Sequence, residues 1–154
     1  MKKRGFTLIE LMIVIAIIGL LAAMALPRFT RVSDSAKVAQ VQGNLANLRT
    51  SISIFYIKSG ENPRFQYGVE DQNLAEVAAG SDKFTDFYSR GKLPKTPTFD
   101  DGNIEIENTN KVNDTKGGSG SEKGGWNYDV ESGEFHAALK RGAYGDSGID
   151  WSEY

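Results

Sequence analysis

The sequence predicts an α+β fold, a long N-terminal helix packed on a small antiparallel β-sheet, and three patterns predict it. Residues 6–26 are apolar or small throughout, apart from Thr7 and Glu10. Val38, Val41, Leu45, Leu48, Ile52 and Phe55 then recur at steps of three and four, which places them on one helical face. Beyond residue 100, Asn103-Ile104-Glu105-Ile106-Glu107 and Gly125-Trp126-Asn127-Tyr128-Asp129-Val130 alternate in polarity as half-buried strands do.

A chain of 154 residues has room for one domain and an attached segment. Its 40% hydrophobic and 25% charged content is ordinary, but the apolar residues crowd toward the N-terminus, so the average conceals two regimes. There is no cysteine, so neither a disulfide nor a thiolate metal site can hold the fold. The net charge is -2, and losing Lys2, Lys3 and Arg4 would take it to -5. A mildly acidic body argues against general nucleic-acid binding, which needs a clustered positive footprint.

The 21 residues from position 6 to 26 would reach roughly 31 Å as a helix, which matches a bilayer core of about 30 Å. Lys2, Lys3 and Arg4 precede the span, which keeps the N-terminus in the cytoplasm and places the body outside. An ordinary secretory signal is the alternative, cut near Ala22-Ala23-Met24-Ala25. Glu10 counts against it, because an acid near the centre of a membrane helix costs about 2.5 to 3.5 kcal/mol, a burden that a disposable signal has no reason to carry. Glu10 calls for a partner, and the span holds no Lys, Arg or His.

Lys2-Lys3-Arg4-Gly5-Phe6-Thr7-Leu8-Ile9-Glu10 resembles the class III signal of type IV prepilins and of the pseudopilins of type II secretion. The resemblance implies that a membrane-embedded prepilin peptidase and methyltransferase cuts after Gly5 and methylates the new amine on Phe6. The apolar span then survives as an anchor. It also implies a partner for Glu10: the exposed amine, with an ordinary pKa of about 7.7 to 8.0, on the Phe6 of the next subunit after an axial step.

The chain divides on this reading into a leader (1–5), a membrane and assembly helix (6–27), an amphipathic helix (28–58), an αβ-loop (59–97), an antiparallel sheet (98–139) and a tail (140–154). Pro27 lacks the N–H that a helix interior needs and should kink or loosen the helix, with Gly19 a second weak point. Resemblance to pilins implies that 19–27 loses helicity in the filament. The amphipathic stripe should attach stalk to head, each buried side chain contributing about 1.5 to 3 kcal/mol, and Ser59-Gly60 should end the helix.

Within the αβ-loop a short helix is expected over 71–79, with Leu74, Val77 and Ala78 as its apolar side, and the aromatics Phe84, Phe87 and Tyr88 are expected to pack on the head. Leu93-Pro94-Lys95-Thr96-Pro97 resembles the proline-marked approach to a pilin sheet. Residues 108–124, nearly devoid of apolar side chains, read as a surface loop. Glu131-Ser132-Gly133-Glu134 reads as the turn of a closing hairpin. Tyr144, Ile149, Trp151 and Tyr154 are expected to wrap the tail back, although the cysteine pair that closes this end in many pilins is missing.

No nucleophile, phosphate-loop or zinc constellation is present, and the single His136 reads as an ordinary strand histidine, so no enzyme activity or cofactor is expected. Asp146, Asp150 and Glu153 are candidate calcium ligands by chemistry, since hard carboxylate oxygens suit that ion, but their spacing is not an EF-hand loop.

Three functions fit: a subunit of a surface pilus, a pseudopilin in a periplasmic secretion filament, and a minor pilin with a tip or DNA-binding role that would draw on Lys116, Lys123, Lys140 and Arg141. The N-terminal resemblance does not separate pilus from pseudopilus, and the head has neither a cysteine pair nor a calcium motif to decide between them; a major subunit of a pilus is the preferred reading. Its implied partners are further copies in a helical filament, an inner-membrane assembly platform with its ATPase, and the inner membrane, crossed once before assembly.

Overall fold

The computed structural model describes residues 5–115, 120–145 and 148–151. A single helix, α1 (Leu8–Ser59), runs for 52 residues without a break, through Gly19 and Pro27 alike. Pro27 withholds one backbone hydrogen bond, yet helix continues on both sides of it, and the Thr30 hydroxyl donates to the Pro27 carbonyl at 3.1 Å. The helix stops where a left-handed residue is supplied. Gly60 takes φ +75° and its N–H donates to the Tyr56 carbonyl at 2.8 Å.

The stripe is buried as its spacing requires. Val41, Leu45, Leu48, Ile52 and Phe55 are each at most 4% exposed, and Val38 packs at the margin. They meet the head's main sheet, formed by β5 (Val112–Asp114), β6 (Lys123–Tyr128) and β7 (Phe135–Leu139) in that spatial order. β6 and β7 form the expected antiparallel hairpin, with Trp126 opposite Ala137 and Tyr128 opposite Phe135. Trp126 and Tyr128 are fully buried. The Trp126 indole donates to the Pro94 carbonyl at 2.8 Å and the Tyr128 hydroxyl to that of Pro63 at 2.9 Å, so neither buried polar tip is stranded.

The structure corrects three local expectations. Residues 108–124 are not wholly a surface loop, because 112–114 form β5, which runs parallel to β6. Val112 is fully buried there, and Thr109 and Asn110 are buried through hydrogen bonds that composition does not reveal. The strand expected over 103–107 shrinks to β4 (Glu105–Ile106), and it pairs with β3 (Phe99–Asp100) rather than joining the main sheet. The helix expected over 71–79 is a single 3-10 turn at Leu74–Glu76, followed by β1 (Ala78–Ala79) turning at Gly80 into β2 (Asp82–Lys83). Leu74 and Val77 are buried as anticipated, while Ala78 is not.

One bulge joins these parts. Pairing shifts between Lys123 and Trp126, at Gly124 and Gly125, whose φ angles are +116° and +80°. A Cβ on Gly125 would stand 2.5 Å from the Lys111 carbonyl oxygen, and one on Gly124 equally close to that of Glu107. Only glycine fits both the angle and the approach. The buried Thr96 hydroxyl sits in the same place, donating between the carbonyls of Glu107 and Thr109 and accepting from the Gly125 N–H at 2.9 Å.

Phe84 and Tyr88 are buried and Phe87 packs at the core margin. Phe55 of α1 meets Phe84 and Phe87 edge-on at 5.8 and 5.9 Å, and Phe65 bridges Phe84 to Tyr128 at 5.1 Å on each side. The tail returns as expected and does so without a covalent tie. Tyr144 and Trp151 are buried, the Tyr144 hydroxyl donates to the Pro97 carbonyl at 2.6 Å, and its ring meets Phe99 at 5.5 Å. Lys37 of α1 lies about 6 Å from both rings while bonding Asp34 at 3.2 Å, so the helix clasps the tail as well as the sheet. Tyr154 lies outside the described residues.

Removing one tooth of the stripe should loosen the whole head. Leu48→Ala is expected to lower stability by about 2 to 5 kcal/mol, and Ile52→Asp to separate head from helix. Thermal unfolding in detergent, followed by tryptophan fluorescence, checks both. Burial also raises the Tyr128 and Tyr144 phenols well above their ordinary value. The folded state favours the neutral form, so this stability is intact below a pH of about 10 and lost as the pH climbs past it. Tyr144→Phe should flatten part of that alkaline loss, as a pH series of unfolding midpoints would reveal.

Candidate functional site

Gly5 and Phe6 lie ahead of the helix in irregular backbone, and Phe6 is 74% exposed. No atom lies within 4 Å of where a Cβ on Gly5 would stand, and its φ is not one that requires glycine. The fold therefore gives no reason for a glycine at this position. Gly19 is similar: a Cβ there would also meet nothing, although glycine inside a helix costs about 1 kcal/mol relative to alanine.

Thr7 is the N-cap of α1, in extended conformation at φ -83° and ψ 150°. Glu10 stands one turn on and reaches back. Its Oε2 accepts from the Thr7 backbone N–H at 2.7 Å and from the Thr7 hydroxyl at 2.6 Å, while the Glu10 N–H donates to Thr7 Oγ1 at 3.3 Å. This reciprocal cap satisfies backbone donors that an apolar surrounding would leave exposed. It also places negative charge at the helix N-terminus, where the macrodipole favours it.

Thr7 belongs with these residues, although the sequence motif singles out only Gly5, Phe6 and Glu10. The signal was present, since Thr-x-x-Glu ahead of an apolar run is the pattern of a capping box. The carboxylate consequently points toward the end of the chain where cleavage at Gly5-Phe6 would create an amine, one residue before the N–H it already binds.

From Phe6 to Val32 the large apolar side chains are exposed, none of Leu8, Ile9, Leu11, Ile15, Ile18, Leu20 or Leu26 falling below 56%. This stretch of α1 is long and apolar enough to cross a membrane, and none of it is buried in the fold. The body of the protein and this bare rod thus occupy the same helix.

Among the described residues the remaining candidates do not gather into a site. Of the carboxylates proposed for calcium, Asp146 and Glu153 lie outside the described residues; Asp150 lines a cavity of about 250 Å³ with Glu122, Asn127 and Arg141. Among the described residues no three His, Cys, Asp or Glu side chains are grouped to hold a metal. Lys123 and Lys140 share a shallow depression with Glu105 and Glu122, so their charge is offset, and Lys116 is not among the described residues. His136, on β7, has Nδ1 3.3 Å from the Arg49 guanidinium, whose Nε donates to the Phe135 carbonyl.

Residues 1–26 match the family described as the prokaryotic N-terminal methylation motif. The chain is 30% identical over 102 residues to the type II secretion system core protein G of Pseudomonas aeruginosa, covering 66% of this chain and 70% of that one. The chain belongs to the type IV pilin and type II secretion pseudopilin family. Within this family it is also 46% identical over 81 residues to the type IV narrow pilus major component PilA5 of Thermus thermophilus, covering 53% and 66% of the two chains. It is 39% identical over 78 residues to a type IV major fimbrial protein FimA of Dichelobacter nodosus, covering 51% and 50%. This pilin-family chain therefore spans between 50% and 70% of the length of these relatives.

The cap can be tested apart from assembly. Thr7→Ala is expected to cost about 1 kcal/mol of local helix stability, visible as faster amide exchange in the first turn of α1 in micelles, with the head's unfolding midpoint unchanged.

Proposed function

We propose that the chain is the precursor of a filament subunit, cut between Gly5 and Phe6, methylated on the Phe6 amine, and assembled from the inner membrane into a helical type IV pilus. One observation carries this reading. The head is packed around its own core, yet the apolar half of α1 is bare, a long rod that a bilayer and then other subunits would cover. Contacts that pass from one copy to the next without closing generate a filament.

The roles of the site residues follow from chemistry. Gly5 serves the peptidase rather than the fold, since no described residue crowds its missing side chain. Glu10 is held toward the N-terminus by Thr7 before cleavage. After cleavage it neutralises a Phe6 amine, that of the neighbouring subunit once the two rods are in register, and each buried charge then has its counterpart. Gly19 and Pro27 supply a segment whose helix is cheap to open, and opening there would adjust rod length during assembly. Export of the head across the inner membrane, the assembly platform and its ATPase belong to the same reading, and the subunit itself performs no chemistry.

A periplasmic secretion filament is the second reading, supported by the similarity to core protein G, which extends over 66% of this chain. Electron microscopy of sheared surface material, with mass spectrometry of its main component, separates the two. Long filaments whose subunit begins at methylated Phe6 are expected. Absence of surface filaments, together with defective secretion in a deletion strain, would favour the second. Glu10→Val is expected to leave membrane insertion and cleavage largely intact while reducing filament yield; an unchanged yield would remove the charge-pair role.

A further inference from the structure

α1 carries a second apolar patch, away from the bare rod. Ile54, Tyr56 and Ile57, in its last turns, are 41%, 50% and 77% exposed. Tyr56 and Ile57 form one wall of a groove of about 360 Å³, with Ile52 and Ser53 beside them and Asn62 and the β6–β7 turn at Glu131, Ser132 and Gly133 opposite. The groove is shaped by fixed contacts: the Asn62 amide donates to the Val130 carbonyl at 3.1 Å, and a Cβ on Gly133, at φ +78°, would stand 2.7 Å from the Asn62 side-chain oxygen. Its rim is acidic at Glu131, the one charged side chain that lines it among the described residues. Asp129 precedes Glu131 in the same turn, whereas Glu134 interacts with Arg49.

A segment with the opposite character lies elsewhere on the same helix. Phe29 and Val32 are 71% and 68% exposed, although they follow the stretch that matches a bilayer in length. They lie three residues apart, hence on one face, and are interleaved with Arg28 and Arg31. No acid stands between positions 11 and 33 to offset those two charges within the rod.

We propose that the groove of one subunit receives Phe29 and Val32 of a second copy, with Arg28 and Arg31 of that copy against the acidic rim. Chemistry and charge match in both halves of the contact. The geometry also gives it a direction. Phe29 and Tyr56 are 27 residues apart on one helix, about 40 Å at about 1.5 Å per residue, so parallel neighbours joined this way are displaced axially by about that distance. The surfaces are different patches of the molecule, and the contact cannot close on itself. Both patches lie on the C-terminal side of Pro27, so opening of 19–27 leaves the displacement unaltered. The inference rests on the filament reading and specifies one of its contacts.

The absence of native cysteine provides the test. Phe29→Cys and Tyr56→Cys chains are co-expressed with an excess of the unsubstituted chain, so that assembly does not depend on either variant, and purified filaments are oxidised. A disulfide-linked dimer that needs both variants is expected, with none from either alone. The pair Val32→Cys and Ile57→Cys is a second reporter. Filaments that form normally and give no such dimer from either pair would overturn the contact and leave the filament reading standing, whereas lack of filaments from the unsubstituted chain would overturn both. Arg28→Glu should reduce filament yield about fivefold, and Glu131→Lys in the same chain should restore most of it. Equal loss with and without the second change would also overturn the contact.

Discussion

The stripe formed by Val41, Leu45, Leu48, Ile52 and Phe55 is the contact on which the head depends, because it turns a rod into one wall of a core. Main sheet, aromatic loop and tail all converge on this side of α1. With no cysteine in the chain, cohesion comes from apolar burial and from hydrogen bonds that satisfy what burial encloses. Thr96 and Asn110 illustrate the second part. Each is small and polar, each is buried, and each binds backbone groups that irregular connections leave unpaired.

The same helix is required to suit two environments, and the sequence changes character where the requirement changes. From Leu11 to Leu26 the residues are apolar or small all round, which suits lipid; from Val38 only one face is apolar, which suits a sheet and water. The intervening stretch belongs to neither regime, being charged and still carrying exposed apolar side chains. Such a stretch is where contacts with other copies are least constrained by the subunit's own fold.

How much was legible follows from the range of the signals. The helix, its burial stripe and its end at Gly60 are set by residues within one or two turns of each other, and they could be read directly. The hairpin from Trp126 to Leu139 is equally local. β5 was not legible, because Val112 is a lone apolar residue in a polar run and becomes a strand only by lying alongside β6. The helix expected near 71–79 failed for a related reason: Asn73 caps a single turn, and Gly80 then reverses the chain before a second can form. At the site, Gly5, Phe6 and Glu10 stand out as a motif, whereas the grip of Glu10 on Thr7 is masked, because an acid in an apolar run reads first as an ion and only then as a cap.

Trp151 gives the architecture a property of a different kind. It is fully buried and, with Tyr144, fills the core from the far end of the chain. Residues more than eighty positions beyond α1 thus close the core that α1 begins. A chain cut before Tyr144 would keep the apolar stretch of α1 but would uncover Phe99 and the part of the core that Tyr144 and Trp151 fill.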